Sequence, residues 1–137
     1  MAGNIRLEVV TPETYVVDEE VQIVVAPGSL GEFGVLIGHT PFLTTLKTGE
    51  MHYTDANGTQ RYVFVSGGFA EALPDKVTVL AESAERRKDI DIDRAKAAME
   101  RAQERLAQSQ AEDIDFNRAK AALERALHRV RLVETPR

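Results

Sequence analysis

The chain contains no cysteine, which excludes disulfide staples and thiolate metal sites and leaves nothing in the composition that points to an oxidising compartment. It also lacks any run near the ~20 apolar residues that span a bilayer, and the N-terminal MAGNIRLEVV has no apolar core of signal-peptide length. The expectation is a chain soluble by itself in a reducing interior, with no direct membrane insertion. Basic charge is scarce as well: 17 Lys and Arg against 22 Asp and Glu leave a net charge of −5, which argues against general nucleic-acid binding. A length of 137 residues fits one small domain, or two very small ones that share a boundary and could bury little alone.

That average conceals an asymmetry. Residues 1–80 carry four Lys/Arg against ten Asp/Glu, whereas residues 81–137 carry thirteen against twelve. Seven of the eight aromatic residues lie in the first 80 positions. An aromatic front half and a charge-dense, alanine-rich tail imply two modules with different work to do.

In the front half, IRLEVV alternates Ile5, Leu7 and Val9 against Arg6 and Glu8, the period-2 pattern of a half-buried strand. VQIVVA, FGVLI, PFLTTL, EMHYT, RYVFVS, GFAEAL and KVTVLA follow, each short, β-branched or aromatic, and set apart by Gly, Pro, Asn or Asp. DANG at Asp55 to Gly58 reads as a hairpin turn, because Asn57 and Gly58 tolerate positive φ at little cost. Many short strands with frequent turns predict an all-β sandwich or barrel.

Beyond Leu80 the β pattern stops, and AESAERRKD reads as an exposed, charged connector. Then one phrase occurs twice: DIDIDRAKAAMERAQERL at Asp89–Leu106 and DIDFNRAKAALERALHRV at Asp113–Val130 agree at 12 of 18 positions with an offset of 24. Asp91 and Asp115 are expected as N-caps. Ile92, Ala95, Met99, Ala102 and Leu106 step +3, +4, +3, +4, and Phe116, Ala119, Leu123, Ala126 and Val130 repeat that spacing, so each set forms one seam. The short AQSQAE connector predicts an antiparallel pair. Two alanines in each seam bury little area at ~25 cal/mol per Å², so such a hairpin is weakly held and open to switching.

Beside the first seam stand Arg94, Arg101 and Arg105, with Asp93, Glu100 and Glu104 on another edge; Arg118, Arg125 and Arg129 repeat the basic edge. Closing the hairpin gathers up to six guanidinium groups suited to phosphate. A solvated, salt-bridged helical face is the other reading.

Signals for catalysis are sparse. His39, His52 and His128 are far apart and lack metal-ligand spacing, so no metal site is expected. GSLGEFG and SGGF follow neither Walker nor dinucleotide spacing and open no helix, which makes them β-turns rather than phosphate cradles. No Ser/His/Asp or paired-carboxylate arrangement stands out, and the chain is expected not to be an enzyme by itself.

PGSLGEFGVLIGHTPFLTTLKTGEMHY, then FVSGGFAEALPDKVTVLAESAER and the paired DIDIDRA and DIDFNRA helices, resemble the ε subunits of bacterial F-type ATP synthases over essentially the whole chain. The resemblance implies a β-sandwich over residues 1–84 for rotor docking, followed by a regulatory antiparallel two-helix hairpin over residues 85–137. It implies a non-catalytic central-stalk subunit that couples the γ subunit to the proteolipid ring of c subunits. It would lie peripherally on the cytoplasmic side of the bacterial plasma membrane and require no cofactor. In such proteins the acidic residue of the G-E-x-G turn, here Glu32, faces the ring, and the histidine of that stretch, here His39, lies near γ. For both residues a plain local role is the alternative: a solvated turn carboxylate and a locally hydrogen-bonded loop histidine.

The family's helical pair either folds against the sandwich or extends along γ into the α/β catalytic head, where basic residues meet acidic surface and hydrolysis is blocked. Some members bind ATP as a regulatory ligand in the folded arrangement through an I/L-D-x-x-R-A motif, present here as Ile90, Asp91, Ile92, Asp93, Arg94 and Ala95. Glu85, Arg101, Arg125 and Arg129 match the rest of that site. A stand-alone ATP-sensing module and an adaptor with a permanently closed hairpin are the competing functions.

Overall fold

The computed structural model describes residues 3–108 and 114–136 and divides the chain into two compact units, Met1–Arg86 and Arg87–Arg137. The first is all β: β1 (Ile5–Val10), β2 (Tyr15–Gly28), β3 (Gly31–Val35), β4 (Phe42–Thr45), β5 (Gly49–Asp55), β6 (Gln60–Ser66), β7 (Phe69–Leu73), β8 (Lys76–Leu80) and β9 (Ser83–Arg86). The second holds a single 3-10 turn (Arg87–Asp89) and two helices, α1 (Ile92–Gln108) and α2 (Ile114–Glu134).

The strands form one continuous ladder in the order β4-β7-β8-β1-β2-β5-β6-β9, with β3 added to β2. The long strand β2 links the two halves of this ladder. Its first half pairs antiparallel with β1, from Val10↔Tyr15 to Ile5↔Val21; from Val21 it pairs with β5, with an irregularity between Val21 and Ile23, and from Val24 onward with β3 as well. Such a bulge bends a strand and lets one strand serve two layers. β1 also lies parallel to β8, Leu7 opposite Val77 and Val9 opposite Val79.

The alternation read from the sequence points inward as expected. Ile5, Leu7 and Val9 of β1 are fully buried, with Val17, Val21 and Val24 of β2, Met51 and Tyr53 of β5, Val63 and Val65 of β6, and Val77 and Val79 of β8. Outward positions on β1 and its neighbours are charged and paired across strands: Arg6 with Asp18 and, at 3.9 Å, with Glu20, and Lys76 with Glu8.

Two turns are fixed by local chemistry. In the β5–β6 hairpin, buried Asp55 accepts from Asn57 N and Thr59 N, both at 2.9 Å, and from Arg61 Nε at 3.2 Å. The Thr59 backbone bond, followed by the pairing with Arg61, holds its carboxyl below the ordinary aspartate value. Gly58 has φ +83, whereas Asn57 does not adopt positive φ, so the glycine alone takes the left-handed position. In the SGGF turn, Gly68 has φ +92, and a Cβ there would stand 1.9 Å from the Leu80 carbonyl oxygen; only glycine fits.

One expectation fails. Ser83–Arg86, read as exposed connector because of its charge, is strand β9, paired with β6 from Ser66↔Ser83 to Val63↔Arg86, and all four residues are half-buried. Its hold comes from the backbone ladder and the Arg86 side chain, neither of which leaves a hydrophobic period in the sequence.

The helices lie antiparallel, since Lys96 near the start of α1 meets Glu134 at the end of α2 at 3.2 Å. All ten predicted seam residues are buried or half-buried, Ala95, Ala102, Ala119, Ala126 and Val130 fully so. The connector is described only to Gln108; residues 109–113 lie outside the described residues.

Candidate functional site

Two consecutive arginines flank the boundary between the units, each bonded within its own module. Arg86 reaches across the β unit: its Nε donates to Val16 O at 2.9 Å, Nη1 to the Tyr53 hydroxyl at 3.2 Å and Nη2 to Glu19 Oε2 at 3.3 Å. Tyr53 in turn donates to the same Glu19 oxygen at 3.0 Å. Burial, against the opposing field of Arg86, pushes the Tyr53 hydroxyl up to about 12, so it remains a donor at every physiological pH.

Arg87 works in the helical unit. Its Nε donates to Leu132 O at 2.8 Å, and its Nη2 to Val133 O at 3.1 Å and Thr135 O at 3.2 Å. The last carbonyls of a helix have no intrahelical partner and carry the negative end of its dipole. One guanidinium thus caps the end of α2 from a position 45 to 48 residues earlier. Thr135 completes the end, donating from N at 2.9 Å and from Oγ1 at 2.6 Å to Arg131 O.

Asp91 is the N-cap of α1: its Oδ1 accepts from Arg94 N at 3.1 Å, and its carbonyl accepts from Ala95 N at 3.0 Å. Ile90 beside it is buried, and its N–H closes the preceding turn on Arg87 O at 3.3 Å. The matching expectation for Asp115 is corrected, because α2 begins at Ile114 and Asp115 sits within its first turn, where its charge complements the dipole without being the cap.

Arg94 and Arg101 are exposed on α1; Arg125 and Arg129 are half-buried on α2. Counting from the Lys96–Glu134 pair, five residues along α1 reach Arg101 and five back along α2 reach Arg129; nine along each reach Arg105 and Arg125. At 1.5 Å per residue in both helices, each two arginines stand at the same height along the pair. The α1 and α2 members of the predicted basic edge are therefore brought to common levels. Glu85 belongs to β9 of the other unit, opposite Phe64. Arg118 is exposed near the start of α2.

Glu32 is exposed on β3 opposite Pro27, next to a β2–β3 tip at which Leu30 is 100% exposed. His39 follows in the β3–β4 loop, its Nδ1 2.6 Å from Thr40 O and its ring 5.0 Å from Phe42. On the outward face of β4, β7 and β8, Leu43, Phe69 and Leu80 are 67, 43 and 41% exposed, with Phe69 opposite Leu80. That apolar face, and the Arg86 and Arg87 anchors, were not singled out from sequence: pairing of β4, β7 and β8 decides which leucines share a face, and the arginine partners are remote. Among the described residues no cluster of three His, Asp or Glu could hold a metal ion, and no helix is long and apolar enough to cross a membrane.

A β-sandwich joined to an antiparallel helical pair with an arginine-studded edge defines a two-module class of protein. The family comparison is specific. Residues 4–87 match the beta-sandwich domain of the ATP synthase Delta/Epsilon chain, and residues 88–134 match the long alpha-helix domain of the same chain. The chain belongs to the ATP synthase delta/epsilon chain family, and is an accessory stalk subunit rather than a catalytic one. It is 70% identical over 106 residues to an ATP synthase epsilon chain of Desulfatibacillum aliphaticivorans, covering 77% of this chain and 75% of that one. The epsilon chain of Desulfosudis oleivorans is 63% identical over 106 residues, covering 77% and 80%. Among solved structures, a chain of the Euglena gracilis mitochondrial ATP synthase, in an OSCP/F1/c-ring assembly, superposes with a TM-score of 0.75 at 26% identity, covering 90% of this chain and 78% of that one. A chain from the Tetrahymena thermophila central stalk and ring shares the fold, with a TM-score of 0.56 at 13% identity and coverage of 94% and 92%.

Proposed function

We propose that this subunit couples a γ-type shaft to a proteolipid ring through its β-sandwich and restrains ATP hydrolysis through its helical hairpin, with ATP as a ligand that favours the folded hairpin. The exposed Leu43, Phe69 and Leu80 face supports docking of the shaft, since apolar patches on a small module mark partner sites. His39 lies in the loop that leads into the same strand β4 and would meet the same partner. Glu32 and Leu30, at a separate hairpin tip, offer one charge and one apolar contact to the polar loops of a ring. In this reading the chain sits peripherally on the cytoplasmic side of the bacterial plasma membrane, and an extended hairpin carries its basic edge to the α/β head.

The observation that carries the nucleotide part is the common height of arginines from both helices next to an intact Ile90-Asp91-x-x-Arg94-Ala95 helix start. Paired guanidinium groups form planar forks for phosphate oxygens, and a ligand touching both helices binds only when they are closed, which shifts the population by its differential affinity. Isothermal titration of the full-length chain with ATP tests this. Saturable binding that is weakened roughly tenfold in Arg101→Ala and in Arg125→Ala is the expected result, and no binding by the parent chain removes the nucleotide from the proposal. Co-purification with γ, weakened by Leu43→Asp or Phe69→Asp, tests the docking face; retention of γ by both variants would move the contact elsewhere.

A further inference from the structure

The end of α2 is gripped by a residue that precedes α1. Arg87 donates to three carbonyls there, at 2.8, 3.1 and 3.2 Å. The other tie at this end, Lys96–Glu134, is exposed on both sides, with side-chain exposures of 49% and 54%. Exposed pairs of that kind contribute little, whereas charge-assisted bonds to helix-end carbonyls are stronger and oriented by the dipole. Any movement that carries the end of α2 away from the root of the hairpin must break all three bonds together. Along the rest of the pair, four of the ten seam residues are alanines, which bury little area.

We propose that Arg87 is the latch of the hairpin: its grip on the carbonyls of Leu132, Val133 and Thr135 sets the balance between closed and open helices, and its release is the step that frees α2. The proposal rests on the regulatory reading above and adds the residue that controls it. Arg87 is a positioning residue for the arginine edge, since a closed pair is the form in which arginines of both helices share one height. Apparent ATP affinity should therefore fall in proportion to the closed fraction even though Arg87 need not touch nucleotide.

The absence of native cysteine makes a direct test simple. Spin labels on Asp93→Cys and Arg131→Cys, exposed residues at the start of α1 and near the end of α2, report the opening of this end in the full-length chain. Electron–electron distance distributions are recorded for the parent, Arg87→Lys and Arg87→Ala, with circular dichroism to follow helix content. The expected result is one short distance in the parent, about a tenfold larger long-distance population in Arg87→Ala, equivalent to about 1.4 kcal/mol, and an intermediate value for Arg87→Lys, which keeps the charge but not the fork. An unchanged distribution overturns the latch, and so does lost helix content at unchanged distance, which is the signature of a simple cap. Should Arg87→Ala fail to fold, Arg87→Lys carries the comparison alone. Hydrolysis by the assembled synthase carrying the label-free variants separates the two levels. Opening with slower hydrolysis supports both, opening with unchanged hydrolysis supports the latch and removes the regulatory reading beneath it, and an unchanged distance distribution overturns the latch whatever the hydrolysis rate.

Discussion

Arg86 and Arg87 are neighbours in the chain and hold different modules: Arg86 binds Val16, Glu19 and Tyr53 within the sandwich, and Arg87 binds the closing carbonyls of α2 within the hairpin. The unit boundary falls between them. Because each arginine bonds only within its own module, loss of one leaves the other module's anchor intact.

Loss of the first anchor should weaken the sandwich alone. Arg86→Ala removes three donors and leaves Glu19 and Val16 O without them, at a cost of about 1–3 kcal/mol. All three tyrosines lie in residues 1–86 and the chain has no tryptophan, so intrinsic fluorescence during urea unfolding reports this module. A lower midpoint by fluorescence, with the helical circular-dichroism signal of the hairpin unchanged, is the expected outcome.

The Tyr53 hydroxyl gives a prediction at alkaline pH. Its folded value of about 12 lies above the ordinary tyrosine value of 10.0, so the folded chain keeps a proton that the unfolded chain releases. The associated stability is complete below pH ~10 and is lost as pH rises toward 12. Thermal melts should fall over that window, and in Tyr53→Phe this part of the fall should be absent.

Asp55 behaves oppositely. Its carboxyl is held low, first by the Thr59 backbone bond and then by Arg61, so it stabilises at pH above the ordinary aspartate value and ceases to do so as pH falls through its folded value. Asp55→Asn keeps an acceptor for Asn57 N and Thr59 N but not the charge. Its melting temperature should lie below that of the parent at pH 7, and the gap should close below about pH 4.

Gly68→Ala should be among the most damaging single changes. The new methyl would face both a left-handed backbone and the Leu80 carbonyl, so a loss of more than about 2 kcal/mol is expected. Gly38→Ala serves as the control: its φ is +81 but nothing lies within 4 Å, so only the backbone cost remains.

Asp91 and Arg101 separate helix stability from ligand contact. Asp91→Ala loses the N-cap, about 1 kcal/mol of helix stability, along with any nucleotide contact. Arg101→Ala, exposed in mid-helix, should alter thermal stability by less than about 0.5 kcal/mol while weakening ATP binding roughly tenfold. Circular dichroism and calorimetry together read the difference.

The eight strands from β1 to β8 were legible because their buried residues alternate or cluster between turn residues. β2 extends further toward its start than the apolar run suggested: Asp18, Glu19 and Glu20 look unlike strand residues until Arg6 on β1 is seen to pair with two of them. β9 was hidden for the same reason, its partners lying 17 to 23 residues earlier in the chain. The doubled phrase disclosed both helices and Asp91 as a cap, but an offset of 24 overextended the analogy at Asp115, since α2 starts earlier in its copy than α1 does in its own. The basic edge was visible from spacing alone. The Arg87 clasp was not, because a helix end records in its own sequence only that carbonyls need donors, not which distant side chain supplies them.

The most direct test of regulation by the hairpin is ATP hydrolysis by the cognate synthase head stripped of this subunit, with either the full chain or residues 1–86 added back. The full chain should slow hydrolysis while the truncated chain binds γ and leaves the rate unchanged. Equal rates with both, and γ binding retained, would contradict regulation by the hairpin and leave a purely mechanical stalk subunit.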